Sequence, residues 1–121
     1  MESILIVDDD LTLCKVLQEE LSEVGYDAKY VNSGETALNF VSDNKVDLML
    51  LDLKMPGKNG FDVLKELKRK GTKIRVIVLT AYADVKSAIE SAKLGAIDFI
   101  SKPYDFDELL ITIREVLQKD I

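Results

Sequence analysis

Asp8, Asp9 and Asp10 stand directly after the apolar run Ile4–Val7, and Asp52 stands directly after Leu48–Leu51. Thr80 follows Val76–Leu79, while Ser101, Lys102 and Pro103 follow Ile97–Ile100. Each run has the length and apolar character of a strand buried on both faces. In an open parallel α/β sheet the carboxyl ends of the strands share one rim, where ligands bind. Distant parts of the chain thus deliver acids, a hydroxyl and an ammonium to one place. Carboxylates that share a small volume repel one another, and a divalent cation relieves that repulsion. With oxygen donors only, hard Mg²⁺ is favoured over Zn²⁺. Mg²⁺ takes one or two carboxylates, keeps several waters and binds phosphate as well. The set suits phosphoryl transfer, which needs mainly positioning and charge neutralisation. Lys102 adds a positive charge and Thr80 a hydroxyl donor. The chain has no histidine, so phosphate must be carried by a carboxylate, as an aspartyl phosphate. Both Asp52 and Asp8 are candidates for that nucleophile.

The scaffold follows from periodicity. Between the strand-like runs lie amphipathic stretches of helical period. Leu13, Leu17, Leu21 and Val24 form one stripe, stopped by Gly25. Phe61, Leu64 and Leu67 form another, ending near Gly71, and Val85, Ala88, Ile89 and Ala92 a third, ending at Gly95. Leu109, Leu110, Ile113, Val116 and Leu117 form the last. Glycine just past a helix is the expected terminator. Ser33-Gly34-Glu35 opens a short helix through about Val41. Asp84 suits an N-cap, and Asp105 with Glu108 resembles a capping box. Ala28–Val31 reads as a weaker strand at an edge. Five βα units imply a parallel sheet with helices on both faces.

Bulk properties narrow the function. A chain of 121 residues supports one domain with a real core. Its net charge of −6 argues against this segment gripping a nucleic-acid backbone. The single Cys14 rules out an internal disulfide and fits a reducing compartment. No apolar run approaches the roughly 20 residues of a membrane span, and Met1-Glu2-Ser3 lacks the features of a signal peptide. A cytoplasmic protein with no membrane contact is the expectation.

Taken in order and spacing, the motifs resemble those of the receiver domain of two-component response regulators, over residues 1–121. They are Val7-Asp8-Asp9-Asp10, then Leu51-Asp52-Leu53-Lys54-Met55-Pro56-Gly57 with Gly60, Leu79-Thr80-Ala81, and Lys102-Pro103. The stretch from Leu79 to Leu110 looks most like receivers attached to σ54-activating transcription factors. The resemblance implies a flavodoxin-like (βα)5 fold, a doubly wound five-stranded parallel sheet of order 2-1-3-4-5. It implies that Asp52 is the phosphoacceptor. Asp9 would bind Mg²⁺ directly with support from Asp8, and Asp52 and the backbone carbonyl of Lys54 would complete the protein ligands. Thr80 and Lys102 would contact the phosphoryl oxygens. A cis peptide between Lys102 and Pro103 is implied as well. The family's switch aromatic falls on Phe99, where many members carry Tyr; lacking the hydroxyl, Phe99 switches through packing alone. The implied function is a phosphorylation switch fed by a sensor histidine kinase or histidine phosphotransfer protein. Its output face is the fourth helix, fifth strand and fifth helix, which also offers a homodimer surface. Such a chain transfers and loses phosphate only on itself and is not an enzyme in the ordinary sense.

Asp8-Asp9-Asp10-Leu11-Thr12 also fits the Asp-x-Asp-x-Thr nucleophile motif of haloacid-dehalogenase-like phosphatases, with Asp8 as nucleophile and Asp10 as acid/base. That reading finds no later acidic pair in the expected place and leaves Asp52-x-x-Met55-Pro56-Gly57 unexplained. A flavodoxin-like binding module is the bland alternative, and it makes the acidic cluster accidental. Asp10 otherwise reads as the cap of the first helix, and Cys14 as a buried small hydrophobe. Lys54 and Tyr82 fall near the phosphate site and are expected to hinder the water that attacks it.

Overall fold

The computed structural model describes residues 1–119. Five strands alternate with five helices: β1 (Ser3–Val7), α1 (Leu11–Glu23), β2 (Asp27–Val31), α2 (Gly34–Asp43), β3 (Leu48–Leu51), α3 (Gly60–Lys70), β4 (Arg75–Thr80), α4 (Val85–Lys93), β5 (Asp98–Ser101) and α5 (Phe106–Gln118). All pairings are parallel, and the sheet order is β2-β1-β3-β4-β5. The expected order and helix placement hold. Register sets the rim: Val7 pairs with Leu51, Leu51 with Val78, and Thr80 with Ser101. The residues after β1, β3 and β5, and the last residue of β4, therefore emerge side by side.

Alternation along the strands divides the core. Ile4, Ile6, Leu48, Leu50, Ile77 and Leu79 point to the face covered by Cys14, Leu17 and Leu21 of α1 and Leu109, Ile113 and Val116 of α5. Leu5, Val7, Met49, Leu51, Val76 and Val78 point to the face covered by Ala37 and Leu38 of α2 and Val63, Leu64 and Leu67 of α3. Both faces of the three central strands are thus dry, which is why those strands read as unbroken apolar runs rather than as alternating ones.

The helix ends follow local chemistry. Asp10, Ser33, Asp84 and Asp105 cap their helices by accepting backbone N–H bonds. The reciprocal capping box lies on α3, between Asn59 and Asp62, whereas Asp105 accepts from Asp107 and Glu108 alone. Gly71 ends α3 at φ 66°, a left-handed conformation in which a Cβ is strained.

One strand boundary shifts. Ile97 precedes β5 rather than opening it, since the β4 pairing starts at Asp98. The stripe on α4 does not face the core: Val85 is 76% and Ile89 52% exposed, and Ser91 is the buried residue of this helix. An amphipathic period marks a face that must be covered, not what covers it.

Candidate functional site

β1 ends at Val7, and its hydrogen-bond ladder carries straight into the acids: the Asp8 N–H donates to the Val31 carbonyl at 3.2 Å, and the Asp52 N–H to the Val7 carbonyl at 3.0 Å. The nucleophile candidate is therefore fixed by the sheet rather than by a loose loop. Asp8 and Asp52 are buried, at 2% and 7% exposure, and Asp9 is exposed. Carboxylate oxygens of Asp8, Asp9 and Asp52 all lie within 4.8 Å of one another.

Lys102 arrives from the opposite edge. Its ammonium donates to Asp8 Oδ2 at 2.6 Å and to Asp52 Oδ2 at 3.4 Å. The Lys102–Pro103 peptide is cis. Burial disfavours the ammonium, but its hydrogen bond to Asp8 and the charges of Asp8 and Asp52 outweigh it and hold Lys102 above its ordinary pKa. Asp8 responds differently. Burial pushes its carboxyl up, more strongly than Lys102 and the Asp10 N–H pull it down. The ion pair secures the lysine's charge while the acid remains under-compensated. One ammonium facing three carboxylates leaves room for further positive charge.

Thr80 closes β4 with no exposure, and its Oγ1 accepts the Tyr82 N–H at 3.2 Å. The Lys54 N–H faces Asp52 Oδ1 at 3.4 Å. The Lys54 ammonium lies 4.5 Å from the centroid of the Tyr82 ring, a cation–π contact that joins the loop after β3 to the loop after β4. Phe99 is half-buried and packs against the core on the α2–α3 face, as do Leu94 and Ala96. Asp10 stays out of the acidic cluster, its carboxylate accepting the Leu13 N–H at 3.1 Å. Cys14 is buried; burial and then the neighbouring Asp8 and Asp10 charges push its thiol up to about 11. It is therefore neutral and inert at neutral pH.

Two supports, Asn32 and Tyr104, had no sequence signal of their own, and a third, Gly60, was read only as part of a motif. Asn32 donates to the Asp8 carbonyl at 2.9 Å and pins the acidic segment from below. Tyr104 donates its hydroxyl to Glu20 at 2.7 Å, tying the segment after Pro103 to α1. Gly60 donates its N–H to the Leu53 carbonyl at 2.9 Å, closing the loop that starts at Asp52. Each joins residues whose proximity only the folded chain creates.

The donor set is all oxygen and hard, and its spacing suits a divalent cation. Among the described residues no helix is long and apolar enough to cross a membrane.

Residues 4–114 match the response regulator receiver domain. The transcriptional regulatory protein ZraR of Escherichia coli is 42% identical over 114 residues, which cover 94% of this chain and 26% of ZraR. This chain thus spans about a quarter of that relative's length. The sporulation initiation phosphotransferase F of Bacillus subtilis is 39% identical over 96% of this chain and 94% of its own. Among solved structures, the response regulator TrrA of Thermotoga maritima, in complex with Mg²⁺ and BeF, superposes with a TM-score of 0.86 at 35% identity, covering 96% of this chain and 99% of that one. The acids at the ends of β1 and β3, the lysine after β5 and these matches agree: the chain belongs to the response regulator receiver domain family, the signalling switches of two-component systems.

Proposed function

We propose that residues 1–121 form one receiver domain that takes a phosphoryl group on Asp52 from the phosphohistidine of a sensor histidine kinase or phosphotransfer protein. The observation that carries this reading is the convergence of Asp8, Asp9 and Asp52 within 4.8 Å, with the Lys102 ammonium on two of them. Asp9, Asp52 and the Lys54 carbonyl would hold Mg²⁺, with Asp8 supporting it. When bound, the ion neutralises the acids and the incoming phosphoryl oxygens. An Asp52 carboxylate oxygen attacks phosphorus, the P–N bond breaks, and the donor imidazole leaves with the electron pair. Lys102 then turns from the carboxylates to a phosphoryl oxygen, and the Thr80 hydroxyl donates to another. Both movements pull on β4 and β5, which changes the packing of Phe99 and the face made by α4, β5 and α5.

The exposed Val85 and Ile89 on α4 support that face as the one read by an output domain, a partner or a second copy. Likeness to transcriptional regulatory proteins is in line with an output in transcription, of the σ54-activating kind. The acidic charge supports no direct contact with nucleic acid by this segment, and a cytoplasmic location follows from the partners. Self-directed transfer and loss of phosphate do not make the chain an enzyme. The haloacid-dehalogenase-like alternative needs Asp10 as acid/base, and the cap role of its carboxylate weighs against it.

The test is incubation with Mg²⁺ and acetyl phosphate, borohydride trapping, and mass spectrometry. Phosphate on Asp52, absent with EDTA, is the expected result; phosphate on Asp8 would favour the phosphatase reading. Mg²⁺ alone should also stabilise the fold. At ten times its dissociation constant the gain is about 1.4 kcal/mol, visible as a rise in melting temperature of several degrees that EDTA reverses. An unchanged melting temperature across a Mg²⁺ titration would argue against a built cation site.

The Lys54–Tyr82 pair bears on how long the phosphate lasts. Held together at 4.5 Å, the two side chains restrict the approach of water to phosphorylated Asp52. Lys54→Ala/Tyr82→Ala is expected to shorten the phosphoryl lifetime by about tenfold, equivalent to about 1.4 kcal/mol of barrier. Following loss of phosphate by Phos-tag electrophoresis checks this; a wild-type lifetime in the double variant would refute it.

A further inference from the structure

Six glycines divide into two kinds. Gly25, Gly57, Gly71 and Gly95 have positive φ, and a Cβ added to any of them meets nothing within 4 Å. Gly34 and Gly60 are the opposite: their φ is ordinary, and the space beside them is full. A Cβ on Gly60 would lie 2.4 Å from the Asp52 carbonyl oxygen and 2.7 Å from Leu53 Cα. A Cβ on Gly34 would lie 2.5 Å from the Lys58 carbonyl oxygen and 2.9 Å from Val63 Cγ2. Both glycines open helices, α3 and α2, where glycine is a poor helix former. Neither backbone shape nor propensity accounts for them; close approach does.

Both contacts are to one segment. The connection from β3 to α3 leaves the sheet at Asp52, carries Lys54, and re-enters at Gly60. Gly60 meets its beginning, at the peptide of Asp52 itself. Gly34 meets its end, at Lys58. The Gly60 N–H bond to Leu53 at 2.9 Å closes the segment on itself, and buried Leu53 and Met55 anchor it in the core. The segment is held from both sides, by the Gly60 backbone at its beginning and by the Gly34 backbone at its end, where the Val63 side chain also closes in.

We infer that Gly60 and Gly34 are positioning residues that set where the Asp52 carboxylate and the Lys54 carbonyl stand, and hence how well the site holds a divalent cation. This rests on the receiver reading above. Real Cβ atoms essentially never approach backbone atoms as closely as these positions would require. A methyl on Gly60 must therefore push the Asp52–Leu53 peptide, and with it the carboxylate and the loop. A methyl on Gly34 pushes the far end at Lys58 and reaches Lys54 only through the loop. The effect should be graded, larger for Gly60 than for Gly34.

The experiment is a Mg²⁺ titration of the full chain followed by amide NMR shifts of residues 52–54, with melting temperatures measured alongside. The variants are Gly60→Ala and Gly34→Ala, with Gly71→Ala as the control. Gly71→Ala strains a left-handed residue but crowds nothing. Gly60→Ala is expected to weaken Mg²⁺ binding by about tenfold or more, the scale seen when groups supporting metal ligands are lost. Gly34→Ala should weaken it less. Gly71→Ala should lower the melting temperature and leave the affinity unchanged. A folded Gly60→Ala with wild-type affinity overturns the inference. Should Gly60→Ala fail to fold, wild-type affinity in Gly34→Ala overturns it. Absence of saturable Mg²⁺ binding in the wild type overturns the proposed Mg²⁺-dependent phosphoacceptor function, which keeps the two failures apart.

Discussion

Asp52→Asn is expected to abolish phosphate incorporation while leaving the fold intact. The amide keeps the shape of the carboxylate but cannot attack phosphorus. The loss should be complete, with no borohydride-trapped product after prolonged incubation with acetyl phosphate and Mg²⁺. Stability should move the other way. Asp52 is one of three carboxylates within 4.8 Å, and neutralising one relieves repulsion that a single lysine does not cancel. The melting temperature without Mg²⁺ should therefore rise. Asp9→Ala provides the contrast: the acceptor remains, and labelling should become slow and insensitive to EDTA. Full labelling of Asp52→Asn would move the nucleophile elsewhere, with Asp8 the first place to look.

Lys102→Ala is expected to cost about 1–3 kcal/mol of stability in the absence of Mg²⁺, the range for leaving a buried polar group without its partner. Lys102 is the cation that touches both Asp8 Oδ2 and Asp52 Oδ2, and both acids are buried. The loss should shrink when Mg²⁺ is added, because a bound cation then supplies the missing charge. Thermal unfolding of wild type and variant, with and without Mg²⁺, measures this as a larger Mg²⁺-induced rise in the variant. Equal losses under both conditions would mean that Lys102 and the cation act on different acids. Labelling of the variant should proceed, since Asp52 and Asp9 remain, but the response at Phe99 should be lost with the lysine that couples the phosphate to β5.

The fold was largely legible because its signals are local and redundant. Apolar runs of four residues, each followed by a polar residue, gave strands ending on one rim, and the helical stripes between them gave the crossovers. The register that aligns Val7, Leu51 and Val78 was not legible, since runs apolar on both faces carry no alternation to fix it. What covers the α4 stripe was not legible, for a physical reason. Val85 and Ile89 have the spacing of a core-facing helix, but periodicity carries no information on whether the sheet or a partner covers them. The positions of Asp8, Asp52, Thr80 and Lys102 along the rim were legible because each ends or closely follows an apolar run. Asn32, Tyr104 and the close packing of Gly34 and Gly60 were not. An asparagine after an edge strand is common, and a glycine needed for space looks the same in a sequence as one needed for φ.

The contact between Lys102 and Asp8 joins residues 94 apart, and that between Lys102 and Asp52 joins residues 50 apart. A ribosome therefore releases all three acids well before the lysine. Through that interval β1 and β3 are available to pair, and pairing them draws the carboxylates together without the Lys102 ammonium to offset their repulsion. Dissolved cations are the partners then at hand. The acids of the proposed cation site are thus all in the chain before the lysine that pairs with two of them.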